Sequence, residues 1–376
     1  MKNYGLTSIH EFLDDFIVYR NLTPMDSRLP GLADIRAQIG LETGSTPRKS
    51  EPAYAAVIAH LLRAARTLDA PHTPIAHLIY VGDTRLNDGH AFQNLCNAGS
   101  WQGLAFIGSE NEKPQHIEII ETGGQTLYLS NRWLALRDFD RFCRNHAFPI
   151  DERTAIILDL DKTTLGARGR NDHVINQARV AAVRQTVASL LGESFNPESF
   201  ESAYTLLNQT TFHPFTTDNQ DYLAYICLIV GSGLIEIDAL VNDIRTGVLK
   251  AFVQFINQVN AQAEALPDSL RQIHESVYGC VQQGDPTPFK AFRYNEYQTT
   301  TARMGSLDAE APAAQCLEQE ITITQEVREI ALQWKATGAL LFGLSDKPDE
   351  ASTPALELAA QGCQPIHRVK THAIGN

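Results

Sequence analysis

Residues 156–164 read IILDLDKTT, a short apolar run that ends in two aspartates, Asp159 and Asp161. Continuous apolar runs of this length are typical of strands buried on both faces of a parallel sheet. Such a strand delivers both carboxylates at its carboxyl end, where parallel sheets hold their ligands. There, Asp159 could attack phosphorus as a nucleophile and Asp161 could act as general acid and base. A turn in which polar side chains cap backbone amides explains the segment alone equally well.

Other segments have the same form and predict more strands of one parallel sheet. Between them, residues from Gly89 to Cys96 are long enough for a short helix, so the pattern is that of an α/β layer. The further strand candidates are residues 77–81 (HLIYV), 104–107 (LAFI) and 339–344 (ALLFGL).

The run at residues 77–81 also ends in carboxylates, Asp83 and then Asp88. A hard cation needs oxygen ligands, so Asp83 and Asp159 together could hold magnesium, with Asp88 reaching it directly or through water. Taken alone, a Gly-Asp-Thr segment followed by Asn-Asp-Gly is usually only a turn.

Two polar residues complete the set of candidate site residues. Ser345 follows the run at residues 339–344, and its hydroxyl could bind a phosphoryl oxygen, although a serine after a strand is usually an N-cap. Lys49 precedes an amphipathic helix and could neutralise both a phosphate and Asp159. By itself, Lys49 is more simply interpreted as a solvated lysine.

Together, these four segments resemble the motifs of the haloacid dehalogenase superfamily of phosphohydrolases. In that family a strand precedes D-x-D-x-T (motif I), a strand ends in Ser or Thr (motif II), a Lys opens a helix (motif III), and a strand ending in Gly-Asp precedes another Asp (motif IV). The resemblance implies Asp159 as nucleophile, Asp161 as acid and base, and Lys49 as the charge-neutralising lysine. The phosphate-binding residues that it implies are Thr163, Ser345 and Lys347. The Mg²⁺-binding residues that it implies are Asp83, Asp88, Asp159 and Asp161, with the backbone carbonyl of Asp161 as a further ligand.

The motif order here is III, IV, I, II, whereas family members run from I to IV. A circular permutation that breaks the chain between the third strand and the motif III helix reconciles the two. It predicts an edge strand at residues 365–369. Lys162 and Lys347 compete for the lysine role, and Lys49 is favoured because its helix leads into the motif IV strand, as the family requires.

Residues 166–336 have mainly helical periodicity, which predicts a large α-helical insertion in a Rossmann-like core with a parallel sheet. The predicted domains are residues 1–165 (first part of the core), 166–336 (helical cap) and 337–376 (second part of the core). The resemblance implies that such a cap admits a small soluble phosphate ester. Arg168 and Arg293 are candidate specificity residues, although a solvated linker and an ordinary amphipathic helix explain them as well.

The composition bears on partners and compartment. With 376 residues and a formal charge of -13, the chain repels polyphosphates and anionic bilayers, so nucleic acid and membrane are not expected partners. The six scattered cysteines are interpreted as buried thiols of a reducing compartment, and no secretory signal is visible. A cytoplasmic protein is the expectation; the oligomeric state stays open.

These patterns predict a magnesium-dependent phosphatase that acts on a small phosphorylated metabolite through an aspartyl-phosphate. A phosphomutase or phosphotransferase would use the same residues, and the sequence does not separate them. A non-catalytic protein that binds a phosphometabolite or a protein partner is the alternative from another class. An unrelated α/β protein with coincidental acidic turns would place Asp83 and Asp159 on distant surfaces.

Overall fold

The computed structural model describes residues 1–41, 46–217 and 219–376. The chain divides into two compact units, a core unit and a helical unit. The core unit comprises residues 1–177, 300–353 and 357–376, and the helical unit comprises residues 178–299 and 354–356.

The core unit contains two sheets. The strands are β1 (Lys2–Thr7), β2 (Ile17–Val18), β3 (His77–Gly82), β4 (Gln102–Gly108), β5 (Ile117–Thr122), β6 (Gln125–Ser130), β7 (Thr154–Asp159), β8 (Ile323–Thr324), β9 (Leu340–Leu344) and β10 (Thr371–Gly375). The larger sheet has seven strands in the order β2-β9-β7-β3-β4-β6-β5, and the smaller has the order β1-β10-β8. All pairs in the larger sheet are parallel except β5 and β6. The predicted α/β class is therefore confirmed, with a sheet that is mostly parallel.

Helices connect the strands and form the helical unit. They are α1 (His10–Leu13), α2 (Leu32–Ile35), α3 (Pro52–Asp69), α4 (Asn87–Gly99), α5 (Leu136–Asn145), α6 (Asp172–Leu191), α7 (Pro197–Leu207), α8 (His213–Thr216), α9 (Gln220–Gly231), α10 (Ile237–Thr246), α11 (Phe252–Asn260), α12 (Asp268–Gln282), α13 (Lys290–Thr301), α14 (Ala313–Gln319), α15 (Gln325–Ala336) and α16 (Leu356–Ala360).

The central strands are buried on both faces, which explains their unbroken apolar sequences. On one face, alternate residues such as Tyr80, Ile157 and Phe342 pack with α3 and α4. On the other face, α5 and α15 meet through Phe139 and Trp334, whose ring centroids lie 6.3 Å apart. A strand covered on both sides has no solvent-facing position, so polar residues appear only where it ends.

Strand β7 lies between β3 and β9, and both pairings are parallel. In register, Leu158 of β7 pairs with Val81, and Asp159 pairs with Leu344. The residues that follow these three strands therefore emerge at the same edge of the sheet. This edge is where the sequence predicts the chemistry.

The helical unit is smaller than the predicted insertion at residues 166–336. Residues 300–336 belong to the core unit, because β8 pairs with β10 in the smaller sheet and α15 packs against β9 of the larger sheet. The helical unit has its own apolar core, in which Tyr222 and Phe252 stack with ring centroids 3.8 Å apart.

The predicted edge strand at residues 365–369 is wrong. Residues Ile366–Arg368 form a 3₁₀ turn, and the position beside β9 is taken by β2 from the amino-terminal segment. The strand near the carboxyl end is β10, which pairs with β1, so that Lys2 lies opposite Gly375. The two ends of the sequence thus meet in one sheet.

Within the described residues, no helix combines the length and hydrophobicity that a membrane crossing requires. Cys96, Cys143, Cys227 and Cys316 are free thiols and are buried. Cys280 is half-buried and Cys363 is exposed, so the prediction of buried thiols is wrong for Cys363.

Candidate functional site

Three strand ends bring the predicted acidic residues together. Asp159 is the last residue of β7 and is only 4% exposed. Asp83 directly follows β3, and Asp88 lies in the first turn of α4. One carboxylate oxygen from each of the three lies within 4.8 Å of the others. The structure therefore places Asp83 and Asp159 in one cluster, which contradicts the alternative of acidic turns on distant surfaces.

Asp88 is held by an almost complete set of hydrogen-bond donors. Its Oδ2 accepts from the backbone amides of Asp83 and Thr84 at 3.0 and 2.8 Å, and from Thr84 Oγ1 at 2.9 Å. Its Oδ1 accepts from the Tyr80 hydroxyl at 3.0 Å and from Lys49 at 2.6 Å. A Cβ on Gly82 would lie 2.6 Å from the Asp88 carboxyl carbon, so the side chain needs glycine there. Asp88 therefore serves to position its neighbours and has little capacity left for a metal.

Lys49 joins the acidic cluster from the loop before α3. Its Nζ donates to Asp159 Oδ1 at 2.5 Å and to Asp88 Oδ1 at 2.6 Å, and the side chain is buried. The loop leads into Pro52, which begins α3 at the position where proline costs no hydrogen bond. The structure thus places Lys49 against the predicted nucleophile.

The two competing lysines have different surroundings. Lys162 donates to the side chain of Asn176 at 3.1 Å and lies 3.9 Å from Asp172, at the start of α6. Lys347 is buried, and its backbone amide donates to Ser345 Oγ at 3.1 Å. Both Ser345 and Lys347 thus belong to the loop after β9, at the same edge of the sheet as Asp159.

Burial and mutual repulsion set the charges in the cluster. Burial lowers the pKa of Lys49, but the negative charges of Asp159 and Asp88 outweigh burial and hold this pKa well above its ordinary value. Burial raises the pKa of Asp88, but the charge of Lys49 outweighs it and leaves that pKa well below the usual range. Burial, and then the charge of Asp88, raise the pKa of Asp83 to about 7 against the opposing effect of Arg168. Burial also raises the pKa of Asp159, although Lys49 opposes the shift.

The donor set fits a hard divalent cation. Carboxylate oxygens are the ligands that Mg²⁺ and Ca²⁺ prefer, and a small number of them can bind Mg²⁺ that keeps several waters. Burial and the charge of Asp88 raise the pKa values of Asp83 and Asp159, and a bound cation would oppose this shift. These two residues are better candidate ligands than the saturated Asp88.

The remaining residues of the predicted D-x-D-x-T segment lie in the turn after β7. Asp161 is half-buried and forms a backbone bridge with Leu165. Thr163 is buried, and its backbone carbonyl accepts from Thr324 Oγ1 at 2.5 Å. Among the described residues, no group is hydrogen-bonded to Thr163 Oγ1. This buried hydroxyl can therefore bind an additional group.

The two arginines predicted as specificity residues are both paired with carboxylates. Arg168 Nε donates to Asp83 Oδ2 at 2.5 Å, so this residue belongs to the candidate site. Arg293 lies inside the helical unit, where its guanidinium donates to Asp221 and, at 2.5 Å, to Glu296. These contacts indicate a structural role for Arg293.

Sequence reasoning missed two residues that hold Asp88, namely Tyr80 and Thr84. A signal for each exists. Tyr80 interrupts the aliphatic sequence of β3 with a hydroxyl, and Thr84 stands four positions before Asp88, where it can cap the start of α4.

Comparisons of this chain with protein-family models, with curated proteins and with solved structures found no match.

Proposed function

We propose that this protein is a magnesium-dependent phosphatase of the haloacid dehalogenase type, acting on a small phosphorylated metabolite through an aspartyl-phosphate. The observation that carries the proposal is the contact of Lys49 with both Asp159 and Asp88, within a cluster that also contains Asp83. A lysine bound to a strand-end carboxylate beside two more carboxylates suits the handling of a dianionic phosphate.

In the first chemical step, Asp159 attacks phosphorus in line with the bond to the leaving alkoxide. That bond breaks as the carboxylate oxygen bonds to phosphorus, and Asp161 donates a proton to the alkoxide. In the second step, Asp161 takes a proton from water, which attacks phosphorus and releases Asp159 and inorganic phosphate. Lys49 offsets the negative charge that gathers around Asp159 in both steps.

Bound Mg²⁺ would supply the positive charge that keeps Asp83 and Asp159 ionised and that neutralises phosphoryl oxygens. Asp83 and Asp159 would hold it, with the backbone carbonyl of Asp161. Asp88 contributes by fixing the backbone of Asp83 and the ammonium group of Lys49. The buried hydroxyls of Thr163 and Ser345 would bind phosphoryl oxygens.

The order of the segments supports a circular permutation of the family's core. Strand β7, which carries Asp159, lies between β9 and β3, which end beside Ser345 and Asp83. The amino- and carboxyl-terminal strands pair, and permutation is tolerated where chain ends lie close together. In this proposal the break falls before β2, because β2 occupies the sheet position beside β9.

The helical unit follows motif I in the chain, and we assign it the role of a cap. A cap that closes over the nucleophile excludes bulk water and restricts the site to small esters. This assignment rests on the position of residues 178–299 in the sequence and on their separate apolar core.

The test is hydrolysis of p-nitrophenyl phosphate with Mg²⁺ and with EDTA. We expect magnesium-dependent turnover by the wild type and a loss of at least about 10⁴-fold in Asp159→Asn, since the nucleophile is removed. The matched control is Asp238→Asn, an exposed aspartate of α10, which should retain full activity. Turnover that persists in Asp159→Asn or in EDTA would contradict the proposal.

A second variant separates an enzyme from a binding protein. Asp161→Asn should lower turnover by about 10²- to 10⁴-fold, because it removes the general acid and base. It should leave Mg²⁺ and phosphate binding, measured by calorimetry, nearly unchanged. A protein that only binds phosphate does not need this carboxyl group. If the wild type binds phosphate but hydrolyses no phosphate ester, the result favours the binding protein over the enzyme.

A further inference from the structure

Tyr54 presents a buried hydroxyl group that the mechanism above does not use. The residue lies in the first turn of α3 and is 1% exposed. Among the described residues, none is hydrogen-bonded to its hydroxyl. A buried polar group without a partner destabilises the folded state, so native structures usually provide one.

The charges around Tyr54 are those of the candidate site. Lys49, Asp159, Asp346 and Arg20 all act electrostatically on its hydroxyl. Burial is the largest effect and raises the pKa of Tyr54 far above neutrality, so the hydroxyl keeps its proton and is available as a donor. Tyr54 packs in the same buried cluster as Tyr80 of β3 and Leu344, the last residue of β9, and it follows by five positions Lys49, which contacts Asp159.

Arg20 connects the two loops beside Tyr54. Its Nη1 donates to the backbone carbonyl of Pro47 at 2.9 Å and to Asp346 Oδ1 at 3.2 Å. Pro47 stands two positions before Lys49, and Asp346 directly follows Ser345. Arg20 thus links the loop that carries Lys49 to the loop that carries Ser345, the two groups that would bind a phosphate.

Tyr80 provides an internal comparison. It is also buried beside Lys49, but its hydroxyl donates to Asp88 Oδ1 at 3.0 Å. Tyr80 thus has an acceptor within the protein, whereas the part of the chain that the structure describes offers none to Tyr54. An acceptor supplied by a ligand would account for the difference.

We propose that the Tyr54 hydroxyl donates a hydrogen bond to an oxygen of the phosphoryl group bound at Asp159 and Lys49. Tyr54 is then a substrate-binding residue, and the ligand class it recognises is a tetrahedral phosphate oxyanion. This inference rests on the proposed function, because it needs a phosphate at that site.

The experiment compares the wild type with Tyr54→Phe, using inorganic phosphate with Mg²⁺ as the probe. Calorimetry gives the Kd for phosphate, and thermal unfolding gives the Tm with and without phosphate. We expect Tyr54→Phe to weaken phosphate binding about tenfold, as expected for loss of a hydrogen bond to a charged group. Without phosphate, its Tm should equal or exceed that of the wild type, because an unsatisfied hydroxyl has been removed.

Tyr225→Phe is the matched control. Its hydroxyl is buried in the helical unit and has a partner, His274 Nδ1, at 2.6 Å. This variant should lower the Tm and leave the Kd for phosphate unchanged.

The outcomes separate this inference from the proposed function. A wild type that hydrolyses p-nitrophenyl phosphate, together with equal Kd values for the wild type and Tyr54→Phe, would overturn the inference alone. A wild type that neither binds phosphate nor hydrolyses the ester would overturn both.

Discussion

The candidate site and the interior of the helical unit both bury charged groups, but they balance them differently. At the site, the three carboxylates of Asp83, Asp88 and Asp159 face two cations, Lys49 and Arg168. In the helical unit, Arg293 contacts Asp221 and Glu296, and Arg179 lies 3.2 Å from Glu296, so two cations face two carboxylates.

The difference lies in how far the buried charges are neutralised. A buried charge is costly unless it is paired and hydrogen-bonded, and the helical cluster meets that condition. Burial raises the pKa values of Asp83 and Asp159, and Asp88 adds to the shift; the site has one carboxylate more than its two cations. A site built to accept a divalent cation has to carry such an excess.

The largest effect is expected from breaking the balanced cluster. Arg293→Met should leave Asp221 buried without this partner, while Glu296 keeps its contact with Arg179, and should lower the free energy of unfolding by about 3–5 kcal/mol. Urea unfolding measures this loss. Arg184→Met, at an exposed position of α6, should change stability by less than about 0.5 kcal/mol. Equal stability of the two variants would show that the Arg293 cluster is not structural.

A smaller effect tests a buried pair in the core unit. Glu326 accepts from Arg170 at 2.9 and 3.0 Å. Burial raises the pKa of Glu326, but these bonds and the charge of Arg170 outweigh burial and hold this pKa below its ordinary value of 4.5. A lowered folded-state pKa contributes stability that is present above 4.5 and is lost as pH falls through the lowered pKa.

The measurement is the free energy of unfolding between pH 5 and pH 3, in the wild type and in Glu326→Gln. As the pH falls, the free energy of unfolding of the wild type should decrease with a slope that exceeds that of the variant by up to about 1.4 kcal/mol per pH unit. This is the slope that the uptake of one proton produces. Identical slopes would mean that Glu326 has the same pKa in the folded and unfolded chains.

The smallest effect concerns the unbalanced cluster. Without metal, Asp159→Asn should raise the free energy of unfolding by roughly 1 kcal/mol, because it removes the excess negative charge. With Mg²⁺ the order should reverse, since the variant has lost a ligand. Asp161→Asn is the control, because its side chain lies outside the three-carboxylate cluster. A metal-free Asp159→Asn that is clearly less stable than the wild type would show that the cluster was balanced after all.

Much of the site could be predicted because parallel strands end at one edge of a sheet. The apolar runs before Asp83, Asp159 and Ser345 are local in sequence, so their strand character was visible without any tertiary contact. Their shared edge then followed from geometry. Lys49 was harder, because nothing near it in the sequence separates a buried lysine from a solvated one.

The errors about strands and domain bounds have one physical cause, which is contact between distant segments. Strands β1 and β10 pair across almost the whole sequence, and β2 has only two residues, so neither has a clear local signal. Residues 300–336 have helical periodicity like the insertion before them, but their contacts lie in the core unit. From the sequence, Arg293 fits an ordinary amphipathic helix, and only the structure shows that it contacts Asp221 from another helix.

By itself, the sequence determined the α/β class, the three strands that carry acids or serine, and the chemistry that carboxylates at strand ends can perform. It did so because strand burial and side-chain alternation are local properties of the chain. Only the tertiary structure decided that Lys49 bonds Asp159, that Asp88 is saturated and that no described residue is hydrogen-bonded to the Tyr54 hydroxyl. Charge balance and hydrogen-bond satisfaction depend on which distant groups meet, and a local pattern does not encode that.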